Sequence, residues 1–150
     1  MMDMVKIVAF TLGEEEYALD IEHVQSIERI QHITRVPNAP TFVKGVINLR
    51  GHVTPIIDLR SLLKIEQVDY TDNTRIIMTK LDEIELGLIV DQTKDVMDVK
   101  AEDFEAPASC GFDSEYIGGI ANIQGRLIIL LKLAELMEAS VGDLQQVDGK

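Results

Sequence analysis

The chain has 150 residues, of which 26 are acidic and 14 are basic, and its formal net charge at pH 7 is −12. This charge repels phosphate backbones, and no stripe of basic and aromatic residues occurs, so we expect no nucleic acid among its partners. The length is sufficient for a stable core without disulfides, which predicts a single domain.

The first predicted element is a β-strand over residues 5–12, and a turn at Gly13 leads to a second strand over residues 17–21. Together these segments predict a β-hairpin. From residue 21 to residue 30 an apolar side chain recurs at every third position, and Asp20 precedes this run as an N-cap. This pattern favours a short amphipathic helix.

The prolines at positions 37 and 40 predict an extended connection, after which residues 42–49 are predicted to form a second short helix. Residues 52–59 are predicted to form a strand. Because Pro55 cannot donate a hydrogen bond, this strand should lie at a sheet edge or pair on only one side there.

The second half of the chain repeats the first. Residues 45–63, GVINLRGHVTPIIDLRSLL, recur 74 positions later as GIANIQGRLIILLKLAELM, and residues 6–21 align with residues 75–90. The repeat halves therefore span about 5–65 and 75–139. The second half should end in a strand around residues 127–131 and a C-terminal helix, followed by a flexible tail over residues 140–150.

Duplication and many short strands predict a mainly β fold of two five-stranded barrels packed together, because closure removes exposed sheet edges. Glycines recur at equivalent positions of the two halves, as expected where the backbone turns sharply or takes a positive φ. These glycines are Gly45, Gly51, Gly119 and Gly125, and structural turns are predicted at Gly51, Gly119 and Gly125.

The first residues lack the small-residue cleavage site of a signal peptide, and no uncharged apolar run reaches the roughly 18 residues of a membrane span. We therefore expect a cytoplasmic protein that does not insert directly into a membrane.

The two copies differ in charge, and function is expected where they differ. The difference occurs at three aligned positions. The first copy has Arg50, Asp58 and Arg60 where the second has Gln124, Lys132 and Ala134. Residues 29–64 contain six basic residues and one acidic residue, a net charge of +5, whereas the rest of the chain carries −17. This segment either forms a docking patch for an acidic partner or neutralises acids of the other half.

Motifs of catalysis and of metal or nucleotide binding are absent from the sequence, so we expect no catalytic residues, no metal site and no cofactor. One enzyme-like pattern is present, since the apolar runs VTPIID and RIIMT end at Asp58 and Thr79, as in phospho-accepting receiver domains. A receiver also needs an acidic pair after its first strand, where this chain has TLG.

The segment VKGVINLRGHVTPIIDLR resembles the CheW family of chemotaxis coupling proteins, which place an NLRG turn before a PxxDLR strand. The likeness continues through FTLGEEEYALDI, YTDNTRIIM, IELGLIVDQTKDV, EYIGGI and LIILLKLAEL. The resemblance implies a non-catalytic adaptor, monomeric alone, with two SH3-like barrels that exchange strands. It would link chemoreceptor tips to the regulatory domain of a CheA-type histidine kinase. The alternative is a CheW-like regulatory module of a kinase or of a CheV-type adaptor.

The resemblance also implies a receptor-facing groove. Its residues here would be Val24, Ile33, Lys44, Gly45, Arg50, Val53, Gly87 and Val90. The three valines are equally consistent with a place in the core. Arg50 is the strongest candidate, because a guanidinium beside a glycine turn can pair with a receptor carboxylate, although it could instead brace the two barrels. Contacts with the kinase are expected at the barrel ends.

Overall fold

The computed structural model describes residues 3–110 and 115–140, which form ten β-strands and a few short helices. The strands are β1 Met4–Leu12, β2 Glu15–Asp20, β3 Val24–Arg29, β4 Val43–Leu49, β5 His52–Asp58, β6 Arg75–Leu81, β7 Ile84–Val90, β8 Gln92–Lys100, β9 Ile117–Ile123 and β10 Arg126–Leu131. Helix α1 is Leu59–Leu62, and residues 133–140 form helix α2 up to the end of the described chain. Single 3-10 turns cover Ile21–His23, Ala101–Asp103 and Pro107–Cys110. Within the described ranges, no helix is long and apolar enough to cross a membrane.

The strands form two five-stranded sheets. Sheet A has the order β8-β1-β2-β10-β9, and sheet B has the order β3-β6-β7-β5-β4. Neighbouring strands are antiparallel except for the parallel pairs β2–β10 and β5–β7. The mainly β prediction is confirmed. The receiver interpretation is wrong, because a receiver alternates helices with the strands of a parallel sheet.

Each sheet is assembled from both halves of the sequence repeat. The hairpin β1–β2 of the first half joins β8, β9 and β10 of the second half in sheet A. The equivalent hairpin β6–β7 joins β3, β4 and β5 in sheet B. The predicted exchange of strands between the halves is therefore confirmed, and the two halves cannot separate without breaking both sheets.

In each sheet, one isolated bridge connects one edge strand to the segment that follows the opposite edge strand. Thr34, which follows edge strand β3, pairs with Val46 of the other edge strand of sheet B, β4. Glu105, which follows β8, pairs in the same way with Ile120 of β9 in sheet A. Each bridge links the two ends of the strand order, as closure of the sheet into a barrel requires. Complete closure remains a prediction.

The apolar residues form three core clusters. The largest draws on both sheets, with Phe10 from β1 and Leu88 from β7 among its members. A second cluster, which includes Ile56, consists of sheet B strands, and a third, which includes Ile7, consists of sheet A strands. Each sheet therefore has its own interior, and the shared cluster joins the two sheets.

The two helices predicted in the first half are wrong. Residues 21–30 form only one 3-10 turn, in which Asp20 caps the backbone amide of Glu22 at 3.0 Å, and then strand β3. Residues 42–49 form strand β4 rather than a helix. Strand β3 pairs with β6, which is distant in sequence, whereas β4 forms a hairpin with the next strand, β5. In both segments the pairing within the sheet outweighs the local helical spacing.

The other predicted elements are present with small shifts of their ends. Pro55 pairs with Val46 of β4, whereas the pairing of β5 with β7 begins only at Ile56, so the one-sided pairing predicted at this proline is confirmed. Ser140, which was assigned to the tail, is buried and helical, and its hydroxyl donates to the Leu136 carbonyl at 2.8 Å. Residues 141–150 of the predicted tail lie outside the described residues.

Gly51 and Gly125 occupy equivalent two-residue hairpin turns, with φ of +83° and +85°. Each follows a residue that also has a φ of +53°, Arg50 in one turn and Gln124 in the other. Two successive positive φ values are typical of the type I′ turn, in which glycine is favoured at the second position. These two turn predictions are therefore confirmed.

Gly45 and Gly119 lie within strands, so the turn prediction for Gly119 is wrong. A Cβ at Gly119 would approach the Phe104 Cβ to 2.9 Å. A Cβ at Gly45 would lie 2.1 Å from the Thr34 carbonyl oxygen, and the Gly45 φ is +147°. At both positions the absence of a side chain allows a neighbouring segment to pack against the strand.

We expect Gly45→Ala to lower the free energy of unfolding by about 3 kcal/mol, because the new Cβ meets backbone that cannot move without breaking the Thr34–Val46 bridge. Gly51→Ala is the control, since no atom lies within 4 Å of the position that its Cβ would take and only backbone strain of about 1 kcal/mol applies. Urea unfolding at pH 7 measures both values, and equal losses would contradict the steric explanation.

Candidate protein-docking site

The eight predicted receptor-binding residues all belong to sheet B or to the segment that follows β3. Arg50 and Val53 are exposed, whereas Val24, Ile33 and Lys44 are partly buried. The remaining three, Gly45, Gly87 and Val90, are buried. The structure therefore brings the predicted residues to one sheet but leaves only some of them accessible to a partner.

Gly87 and Val90 support the sheet from inside. Val90 has no exposed surface and belongs to the cluster shared by the two sheets. A Cβ at Gly87 would come within 2.6 Å of the Ile56 Cδ1 atom, inside the sheet B cluster. Neither residue can contact a partner while the fold is intact, so the expectation that they form part of the docking surface requires correction.

Arg50 contacts another strand of its own sheet. Its Nη2 atom lies 3.5 Å from the Glu28 Oε2 atom on β3, while 70% of the Arg50 side chain remains exposed. The contact draws the β4–β5 turn towards β3 within sheet B. Arg50 therefore does not brace the two sheets against each other, and its guanidinium remains accessible to a partner.

Two apolar side chains close in sequence to this ion pair are exposed. Ile27 precedes Glu28 on β3 and is 43% exposed, and Val53 follows the turn and is 70% exposed. We refer to Ile27, Arg50 and Val53 as the sheet B surface. An apolar pair beside an exposed guanidinium is a suitable docking surface for an amphipathic segment with an acidic edge.

Sheet A presents an equivalent surface that the sequence analysis missed. Val96 on β8 is 54% exposed and Leu127 on β10 is 62% exposed. Arg126, which precedes Leu127, donates to Glu16 at 2.6 Å and to Asp95, which precedes Val96, at 3.0 Å. These hydrogen bonds lower the pKa of both carboxyl groups. We refer to Val96, Arg126 and Leu127 as the sheet A surface.

The repeat contained the signal for this second surface. Leu127 stands 74 positions after Val53, the offset between the repeated segments, and Val96 follows Ile27 by the 69-residue offset of the paired hairpins. The two surfaces are thus equivalent in position. Their polar groups differ, because Arg50 meets one carboxylate whereas Arg126 meets two.

Asp58 and Arg60, at two of the positions where the repeats differ in charge, form contacts within the fold. Asp58 is 4% exposed and caps α1 by accepting from the Arg60 amide at 3.0 Å. The Arg60 guanidinium forms two hydrogen bonds with Asp91, of 3.0 and 2.5 Å, and donates to the Glu66 carbonyl. Asp91 also accepts from the Gly13 amide at 2.7 Å. This network joins the β1–β2 turn of sheet A to the helix that follows β5 of sheet B.

Residues 6–141 match the family model described as the CheW-like domain. The chain is 41% identical over 128 residues to the chemotaxis protein CheW of Bacillus subtilis, covering 84% of this chain and 82% of that protein. Identity to the chemotaxis protein CheW of Klebsiella aerogenes is 39% over 132 residues, with 87% and 80% covered. The crystal structure of the scaffolding protein TtCheW from Thermoanaerobacter tengcongensis matches with a TM-score of 0.79 and 36% identity, covering 89% of this chain and 86% of that one.

The fold defines a duplicated β protein whose two sheets carry exposed apolar residues at equivalent positions of the repeat. The family model covers most of the chain, and two relatives exceed 30% identity over more than four-fifths of it. The chain therefore belongs to the CheW-like domain family.

We expect Asp91→Asn to lower the free energy of unfolding at pH 7 by about 2 kcal/mol, because it leaves the buried Arg60 guanidinium without its counter-charge. The Arg60 hydrogen bonds hold the pKa of Asp91 below its ordinary value. The ionised pair therefore stabilises the fold above the unfolded-state pKa of about 3.9, and this contribution is lost as pH falls from there towards the folded-state pKa.

Urea unfolding at pH 7 and at acid pH measures this difference, which should shrink on acidification. Asp98→Asn is the matched control, since Asp98 pairs with Lys6 at 3.8 Å with both side chains more than half exposed. That change should cost at most about 0.5 kcal/mol. Equal losses in the two variants would show that the Arg60–Asp91 pair has no special role.

Proposed function

We propose that the chain is a non-catalytic chemotaxis adaptor that couples chemoreceptors to a CheA-type histidine kinase at the cytoplasmic tips of the receptors. Its relatives in Bacillus subtilis and Klebsiella aerogenes carry the name chemotaxis protein CheW, and the solved relative is named a scaffolding protein. The observation that carries the proposal is the exposed apolar residues on both sheets, because an adaptor must hold two different partners at once.

The sheet B surface is the proposed receptor site. Val53 and Ile27 offer apolar area for one face of a receptor helix, and the exposed Arg50 offers a charged contact at its edge. Among the residues suggested by the resemblance, Arg50 and Val53 are the two that combine exposure with this position. Val24, Gly87 and Val90 support the surface from within.

The sheet A surface is the proposed kinase site. Val96 and Leu127 offer an equivalent apolar area, but Arg126 beside them is neutralised by Glu16 and Asp95. A surface with this excess of carboxylate selects a different partner from the sheet B surface, since complementary charge fixes the choice of partner. A kinase regulatory domain containing the same module would dock head to tail on this face.

The decisive assay measures kinase autophosphorylation on receptor-containing membranes with and without the protein at micromolar concentration. We expect activation of about tenfold or more that attractant reverses, because coupling between receptor and kinase requires both to be bound at once. No activation, together with no binding to receptor or kinase, would contradict the proposal.

Val53→Asp and Leu127→Asp should separate the two functions. Both side chains are more than 60% exposed, so thermal stability should be nearly unchanged. Val53→Asp should weaken receptor binding by roughly tenfold or more and leave kinase binding intact, because the carboxylate is desolvated only when the receptor docks. Leu127→Asp should do the reverse. Calorimetric titration with each purified partner checks both, and loss of the same partner in both variants would contradict the assignment.

Arg50→Glu should abolish receptor coupling while the protein stays folded, because it reverses the exposed charge at the edge of the sheet B surface. Lys64→Glu makes the same change in charge at an exposed position outside both surfaces and should retain coupling. The autophosphorylation assay reads out both variants, and circular dichroism confirms their folding. Full coupling by Arg50→Glu would remove this residue from the site.

A further inference from the structure

Strands β3 and β6 place two arginines directly opposite each other. Arg29, the last residue of β3, pairs in register with Arg75, the first residue of β6. Directly opposed residues of an antiparallel pair have their Cβ atoms about 5 Å apart on the same face of the sheet, and like charges there destabilise the pairing. Two cations at this point are therefore unfavourable unless an anion compensates them.

The equivalent position of sheet A carries opposite charges instead. By the 69-residue offset of the repeat, Arg75 aligns with Lys6 and Arg29 aligns with Asp98. Lys6 and Asp98 also oppose each other directly, on β1 and β8, and their charged atoms lie 3.8 Å apart. One copy of the repeat thus neutralises its cation across the two strands, whereas the other copy places a second cation there.

Neither arginine has a carboxylate partner within the protein. Over residues 3–110 and 115–140, no Asp or Glu oxygen lies within 4.0 Å of either guanidinium. Arg29 is exposed and Arg75 is partly buried. The Arg75 Nη1 atom donates to the backbone carbonyls of Asp72 and Thr74 at 2.8 and 2.9 Å. These hydrogen bonds orient the Arg75 guanidinium, whose Nε and Nη2 atoms donate to no group in the described part of the chain.

We infer that the Arg29–Arg75 pair binds a phosphate group, either free or as a monoester, through both guanidiniums. Guanidinium groups bind phosphate oxygens through paired, charge-assisted hydrogen bonds. A phosphate monoester carries about two negative charges near neutral pH and has three acceptor oxygens, so one group compensates both arginines. A single carboxylate would compensate only one of them. The inference stands apart from the proposed function, since it requires neither a receptor nor a kinase.

The test is an NMR titration of the ¹⁵N-labelled full chain with sodium phosphate at pH 7 and constant ionic strength. We expect saturable shift changes at the amides of Arg29, Arg75 and Ile76, and no saturation with sodium acetate over the same range. Arg29→Gln and Arg75→Gln should each weaken binding by about tenfold, as expected for loss of one charge-assisted contact. Arg35→Gln is the matched control, because it removes another exposed guanidinium of the same basic segment. It should change the affinity by less than about twofold.

Arg29→Asp uses the repeat as an internal test. This change recreates in sheet B the opposite charges of the Lys6–Asp98 pair of sheet A. It should abolish phosphate binding while the protein stays folded, because Arg29 is exposed and its new carboxylate can pair with Arg75. Circular dichroism checks the fold, and phosphate binding by a folded Arg29→Asp variant would contradict the inference.

Vesicles distinguish the source of the phosphate group. Cosedimentation with phosphatidic acid vesicles, but not with phosphatidylcholine vesicles, would identify a lipid phosphate if Arg29→Asp abolishes it. Saturation by sodium phosphate without such cosedimentation would identify a soluble phosphate. Either result supports the inference. An absence of binding to both probes would overturn it, as would equal weakening by Arg29→Gln and Arg35→Gln, since the anion would then sense only the overall charge.

Discussion

Neither half of this chain can complete a sheet alone, and this constraint determines the rest of the structure. The β1–β2 hairpin has its partners in the second half, and the β6–β7 hairpin has its partners in the first. The shared core cluster and the Arg60–Asp91 pair then fix the two sheets against each other. The two proposed docking surfaces consequently belong to one framework, which would let a small protein fix the relative geometry of two partners.

Duplication supplied two equivalent surfaces, and later divergence gave them different chemistry. The exposed apolar positions remained apolar, since Val53 aligns with Leu127, whereas the neighbouring polar groups changed. Not every charge difference is functional, since Asp58 and Arg60 are buried in a network that stabilises the fold. Burial therefore identifies the charge differences that act on stability.

The sequence was sufficient for elements whose signals are local. Gly13 and Gly51 mark hairpin turns, and Pro55 limits strand pairing at its own position. The helix predictions for β3 and β4 are wrong because apolar spacing over a short segment does not distinguish a helix from a strand, and the partner of β3 is distant in sequence. Of the residues that the resemblance suggests, Arg50 and Val53 are exposed, whereas the burial of Val90 depends on how the two sheets pack together.

The parallel pairing of β2 with β10 has a consequence for synthesis of the protein. The Arg126–Glu16 contact beside this pairing spans 110 residues of sequence. A fold with such non-local contacts has a high contact order and closes slowly. The β1–β2 hairpin emerges early from the ribosome, but its open edge cannot be covered until β10 has been made. Nearly the whole chain must therefore be translated before sheet A is complete, and the nascent hairpin is the segment most exposed to aggregation in the meantime.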